Sequence, residues 1–452
     1  MQGSALRKER LEEGRRAGRT CARPWVGTLG ALCALLLGVF FTAGAPAQGA
    51  APAQATAGEP ALDNQLDAAE ADGVEPRRQL VDWNHYQGPY FTLRVGGGFG
   101  YDYSAYAQDA NSKEQMTLSP VAAVRDFRVL LKGKFPAIPR LSYTLGYMYD
   151  GAKKEWFFRQ TGLMVDVPEL WGDIFIGRTK EGFSTNKIMV GYFTWTAERA
   201  TMNEALVPIL ADGVKWTGRI PSGKLVYNVG YFKDELSETE SFNKNDSQLV
   251  GRAVWLPNAG SDKPLLHLAL EARFAEANNG QLQYRSRPEV FSAQSYAIDT
   301  GKFAADHANA VGVEAYYRPG PLMFGMEYFI NQVSSSQTNN PLFHGGEIFA
   351  AYILTGEVRP YNTRGAFFES VSPARTVFEG GPGAWEAVLR YSYSDLDSGT
   401  IQGGRFWRIT PMLNWYLSDN VRMEFTYGYG VLDRFGITGS TQFFQTRLQL
   451  LL

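Results

Sequence analysis

Along the C-terminal seventy residues, apolar and polar positions alternate with a period of two. Val421, Met423, Phe425, Tyr427, Tyr429 and Val431 are apolar or aromatic, while Arg422, Glu424, Thr426, Gly428 and Gly430 fall between them. The final segment repeats the pattern, with Phe444, Leu448, Leu450 and Leu452 on one face and Gln445, Arg447 and Gln449 on the other. Such alternation makes a strand with one greasy face and one wet face. In a soluble sandwich the greasy face points to a core. In a membrane barrel it points to lipid, and the wet face lines a lumen.

The same pattern predicts sixteen strands, near residues 90–107, 124–133, 140–149, 158–166, 172–178, 212–219, 225–232, 247–256, 265–274, 308–317, 322–330, 343–354, 385–395, 406–416, 421–431 and 441–452. Their even number is what a single-chain bacterial barrel requires. The links after even strands are mostly tight and rich in Pro or Gly, as in Phe135-Pro136-Ala137-Ile138-Pro139, Pro221-Ser222-Gly223-Lys224, Arg318-Pro319-Gly320-Pro321 and Ser418-Asp419-Asn420. Those after odd strands are expected to run longer. The fold class predicted is therefore all-β: a 16-stranded antiparallel transmembrane β-barrel with long extracellular loops and short periplasmic turns. Thr355–Ala384 breaks the parity, being long on the short-turn side, and calls for either a further strand pair or an elaborated turn. The strand boundaries around 275–307 are equally open.

The N-terminus selects the membrane barrel over the sandwich. Residues 1–23 carry seven basic side chains against three acidic ones, an apolar run follows from Val26 to Phe41, and Ala45-Pro46-Ala47 closes it. That is the order of a cleaved secretory signal, expected to span residues 1–47. Residues 48–82, Ala/Pro-rich and then acidic, are expected to form a largely disordered periplasmic tether, and residues 83–452 the barrel domain. The two cysteines, Cys21 and Cys33, both lie in the signal, so the mature chain has no disulfide framework and no thiolate metal site. The high aromatic content, 13%, suits girdles at two membrane interfaces. The formal net charge of the whole chain is -2, so no global basic field argues for an anionic partner, nucleic acid included.

Sixteen strands enclose a lumen wide enough for water and small solutes. The third outward loop, Thr179 to Ala211, includes a helical stretch at Thr196–Leu206 and is long enough to fold inward and narrow that lumen. Anion preference needs cations at the narrow point. The candidates are Arg178, Lys180, Lys187 and Arg199 on this loop and its approach, with Arg128 and Lys132 on the lumen parity of strand two. Arg390, Arg408, Arg422 and Arg447 share the polar parity of their strands, but so do Glu386 and Glu424, as in any mixed polar wall. The acidic stretch from Asp234 to Glu240 reads best as a solvated loop tip that binds divalent cations or bridges to lipopolysaccharide.

Nothing points to an enzyme. His85, His267, His307 and His344 are scattered without ligand-like spacing, and there is no G-x-S-x-G elbow. Gly96-Gly97-Gly98 lies inside the first strand, where close packing explains it better than a phosphate cradle.

From about Val124 onward the chain resembles the phosphate-selective porin O and P family. The resemblance rests on Gly177-Arg178-Thr179-Lys180-Glu181-Gly182-Phe183-Ser184, Arg287-Pro288-Glu289, Asp299-Thr300-Gly301 and Leu354-Thr355-Gly356-Glu357-Val358-Arg359-Pro360-Tyr361. Gly383-Ala384-Trp385-Glu386, Arg390-Tyr391-Ser392, Gly403-Gly404 and Asn414-Trp415-Tyr416 follow in the same order. The resemblance implies a homotrimeric, water-filled channel without cofactor, often preferring phosphate or other anions; it does not assign the pore-lining cations. The alternatives are a general, weakly selective porin and a non-conducting structural or receptor barrel.

Overall fold

The computed structural model describes residues 84–233, 245–259 and 264–452. The signal, the tether and the acidic stretch 234–240 lie outside the described residues. Sixteen strands form the barrel. The first half comprises β1 (Thr92–Gln108), β2 (Val121–Phe135), β3 (Ile138–Asp150), β4 (Glu155–Val167), β5 (Gly172–Thr179), β6 (Ala211–Ile220), β7 (Leu225–Lys233) and β8 (Asn245–Trp255). The second comprises β9 (Leu265–Ala277), β10 (His307–Arg318), β11 (Leu322–Ser334), β12 (Leu342–Ile353), β13 (Ala384–Ser398), β14 (Ile401–Tyr416), β15 (Val421–Arg434) and β16 (Ile437–Leu451). Each strand pairs antiparallel with its chain neighbour, and β1 closes the ring on β16, with Gly98 opposite Leu451 and Gln108 opposite Thr441. Closure leaves no unpaired sheet edge, which a lipid setting demands of a sheet.

The alternation lands as anticipated. On β15, Arg422, Glu424 and Thr426 are buried in the lumen, while Phe425, Tyr427 and Tyr429 are exposed on the outer face. The outer face continues round the ring through Phe127, Tyr147, Trp156, Leu249, Val311 and Leu389. Trp385 and Trp415 stack there at 4.8 Å between ring centres, at the tight-turn end of β13 and β14.

The links depart from the parity rule in four places. After β3, β13 and β15, all odd, the strands run on and meet in short turns: residues 151–154, 399–400 and 435–436. The last of these holds Phe435 at φ 57° and Gly436 at φ 74°, a pair of left-handed residues that matches the twist of a two-residue hairpin. The fourth departure is the link from β12 to β13. It is an elaborated turn and not a missed barrel pair: Tyr361–Asn362 pairs only with Phe367–Phe368, apart from the main sheet. The stretch between β9 and β10 likewise holds two small ladders of its own, Gln281–Leu282 with Phe303–Ala304 and Arg285–Ser286 with Ile298–Asp299.

Among the described residues, three links reach into the lumen. The third outward loop carries α2 (Thr185–Ile188) and α3 (Thr201–Leu206), after a short α1 (Ala110–Gln115) in the first loop. The expected helix at 196–206 is thus confined to its second half. From the same end comes the β9–β10 link, and from the opposite end the β12–β13 turn. The last two meet the third loop on the β9–β14 side. There Trp195 stacks on Phe349 at 4.5 Å and lies edge-on to Phe368 at 5.9 Å.

Candidate pore constriction

The third loop is held by charge of opposite sign at its two halves. At its start the backbone N–H groups point to carboxylates on the wall. Ser184 N–H donates to Glu271 (2.6 Å), Thr185 N–H to Glu314 (2.7 Å) and Asn186 N–H to Glu327 (2.9 Å). Asn186 Nδ2 adds a bond to Glu347, and Asn203 Nδ2 one to Glu327 at 2.8 Å. These glutamates stand on β9 to β12. Arg252, which bonds Glu314 at 2.8 Å, and Arg390, 3.3 Å from Glu347, balance part of their charge. Further along the loop it is carbonyls that point to the wall, and the wall answers with donors from β13 to β16. Arg390 donates to Glu198 O (2.8 Å), Asn414 to Trp195 O (2.9 Å), Arg422 to Thr194 O (2.7 Å) and Gln449 to Tyr192 O (2.9 Å), and Arg447 to Ala197 O. The three arginine bonds are charge-assisted, and such bonds are shorter and stronger than neutral ones of the kind Asn414 and Gln449 make.

Arg390, Arg408, Arg422 and Arg447 therefore face the lumen, as their parity requires, and each is engaged with an inserted loop. Arg408 donates to the carbonyls of Pro288 (2.8 Å) and Glu289 (3.1 Å) in the β9–β10 link. Arg447 also clasps Asp102 through two bonds of 2.7 Å. Burial alone would raise the Glu198 carboxyl; the guanidiniums of Arg125 and Arg447 outweigh it and hold it down at about 2. Arg359, from the β12–β13 turn, is buried between Phe193 O and Glu369 O, both 2.9 Å away, and the Glu386 carboxylate, 2.8 Å away. None of this fixing network was anticipated beyond strand parity, because its partners lie on different segments, from ten to more than three hundred residues apart.

On the opposite side, between the loop and β1–β4, a cavity of about 70 Å³ remains. Arg128, Arg159 and Lys180 line it, and no carboxylate does. Arg128 chelates Asp126 and lies over the Tyr192 ring at 4.3 Å. Tyr192 in turn donates to Asp126 and rests on Gly98, where an added Cβ would come within 2.0 Å of its ring. Lys180 donates to Ile188 O (2.8 Å) and to Met189 O, within its own loop. Among the described residues, Arg159 finds only the weak acceptor Met148 Sδ, 3.5 Å from Nη1. Among the described residues, neither Arg159 nor Lys180 has a carboxylate partner. Burial, and then the charges of Arg199, Arg159, Arg128 and Lys215, push the Lys180 ammonium well below the ordinary lysine value.

The remaining candidates divide. Arg199 belongs with the cluster: it donates to Asn186 O (2.6 Å) and Met189 O (3.2 Å), and a Cβ on Gly191 would lie 3.6 Å from Arg128 and 3.9 Å from Arg199. Lys132 is buried on the lumen face of β2, two lumen positions from Arg128. Arg178 sits instead in a two-bond ion pair with Asp212 (2.8 and 3.1 Å), and Lys187 pairs with Glu204 at 3.0 Å. Arg159 was missed in the sequence because a register shift in β4 between Phe158 and Thr161 breaks its alternation: it faces inward with Phe157, whereas Leu163, at the same parity, is exposed on the outer face.

A family model described as phosphate-selective porin O and P matches residues 93–450. Over 252 residues the chain is 30% identical to an uncharacterized protein of Caulobacter vibrioides, covering 53% of this chain and 50% of that protein. Over 208 residues it is 24% identical to Porin O of Pseudomonas aeruginosa, covering 39% and 46%. The chain thus spans about half the length of the curated relatives it matches. Among solved structures, OmpT of Vibrio cholerae in its trimer form is similar with a TM-score of 0.50 at 12% identity, over 80% of this chain and 100% of that one. The anion-selective porin from Comamonas acidovorans is similar with a TM-score of 0.50 at 11% identity, over 80% and 100%. At these identities the structural likeness concerns the fold.

Proposed function

The chain belongs to the phosphate-selective porin O and P family, and from that premise we propose that it is an outer-membrane channel through which small anions diffuse passively. The observation that carries the anion preference is a pair of cations, the half-buried Arg159 and the buried Lys180, beside the open cavity with no carboxylate among its lining residues. A buried charge without a partner is expensive, and a transient anion supplies that partner. Apolar walls focus the field of such groups, so cations are drawn less to the narrow point than anions. Phosphate, which the family's description names, is one candidate solute.

The test is single-channel current in planar bilayers, with the reversal potential under a KCl gradient. Stepped conductance with anion preference, weakened by Arg159→Gln and by Lys180→Gln, is expected. Conductance without preference would leave a general porin, and silence from well-folded protein would leave a structural barrel. Export by residues 1–47, a tether over 48–82, contact of the 234–240 loop with lipopolysaccharide and a homotrimeric state belong to the same proposal.

A further inference from the structure

Resting on the anion-channel reading, we infer that the constriction favours amphiphilic organic anions, short-chain or aromatic monocarboxylates, over inorganic phosphate. The cavity has two unlike flanks. Arg128, Arg159 and Lys180 supply charge, while Leu130, Val190, Leu210 and Leu451 supply aliphatic surface. The two kinds of group stand side by side. A Cβ on Gly146 would lie 2.9 Å from Gln160 O, 3.0 Å from Leu130 Cδ1 and 3.1 Å from Arg159 Cβ, so the leucine side chain and the stem of the arginine meet over this glycine.

Inorganic phosphate is polar over its whole surface. Against four aliphatic side chains it sheds hydration that nothing replaces, and unreplaced hydrogen bonds are costly. A monocarboxylate places its charged end on Arg159 and Lys180 and its hydrocarbon on the leucines. There it displaces loosely held water, which is favourable for an apolar group. The size agrees: a space of about 70 Å³ holds roughly five to seven waters, comparable to a small carboxylate. Of the three cations, Arg128 already serves Asp126, which leaves two for the solute.

The experiment titrates acetate, butyrate, hexanoate, benzoate and phosphate against the chloride current of the purified full-length protein. Block by the carboxylates is expected to strengthen roughly two- to fourfold per methylene, the range that burial of a CH₂ group allows. Hexanoate and benzoate should block at least tenfold more strongly than phosphate. Leu130→Asn, or Val190→Asn in the loop should the strand variant fail to fold, is expected to flatten the series. A flat series in the native protein, or phosphate blocking more strongly than hexanoate, overturns the inference and leaves the anion channel standing. A reversal potential without anion preference overturns the reading beneath it as well.

Discussion

Arg359→Met removes the residue that joins the turn from one end of the lumen to the loop from the other. In the native protein, Arg359 Nη2 lies 2.8 Å from both oxygens of Glu386 and 2.8 Å from the Tyr416 hydroxyl. Nη1 bonds two carbonyls, Phe193 O and Glu369 O, each at 2.9 Å. The variant leaves the Glu386 carboxylate with Tyr416 (2.9 Å) and Asn414 (3.0 Å) but without its cation. Breaking a buried pair by deleting one partner costs about 3–5 kcal/mol, since the remaining charge is uncompensated. Removing both partners is far cheaper, so Arg359→Met/Glu386→Gln should regain at least half of the loss. The residue of the cost is the two stranded carbonyls, at about 1–3 kcal/mol each where water fails to reach them. The assay is urea unfolding followed by tryptophan fluorescence, for which Trp195, 5.8 Å from the Arg359 guanidinium, is a local reporter. An unchanged midpoint in the single variant would refute the reasoning, as would a double variant no more stable than the single one.

Glu327→Gln should loosen the start of the third loop. Its carboxylate accepts from Ser184 Oγ, Asn186 N, Asn203 Nδ2 and Tyr316 Oη; an amide presents one acceptor and turns donors toward donors. The expected loss is about 1.5–3 kcal/mol per charged-acceptor bond given up, seen as greater open-channel noise. Gly98→Val forces a methyl-bearing carbon into the Tyr192 ring, 2.0 Å from its edge, and should lower conductance through the adjacent cavity; adding Tyr192→Ala should restore it. Because burial depresses Lys180, it loses its proton at a lower pH than a free lysine, near 10.4. Anion preference should therefore fall as pH rises toward that value, Lys180→Arg should postpone the fall, and a reversal potential flat across the lysine range would contradict it.

Much of the barrel was legible because period-two alternation is a local signal. On β15 each residue reports its own face, whatever happens elsewhere. The links were less legible for the opposite reason. Arg359 and Phe368 sit in a stretch without period, and what draws them inward is Glu386 and Trp195 on other segments. At the constriction, parity placed Arg128 and Lys132 in the lumen, and the length of the third loop pointed to Lys180 and Arg199. Parity tells which way a side chain faces, not whom it meets. Hence Arg178 was grouped with the pore cations although Asp212 holds it, and Arg159 was passed over because the register shift after Phe158 hides its inward facing from a period-two reading.

The grip on the start of the third loop carries a consequence for the sign of the channel. Glu271, Glu314, Glu327 and Glu347 each face a donor of that loop, and Arg252 and Arg390 offset only part of their charge. Take the loop away and four wall carboxylates open onto water, facing the basic strands across the bore. The segment thus works as a cover over an acidic surface. A relative with a shortened loop on the same wall would not be a wider version of this channel; it would set a bare acidic face against the arginines of β13 to β16.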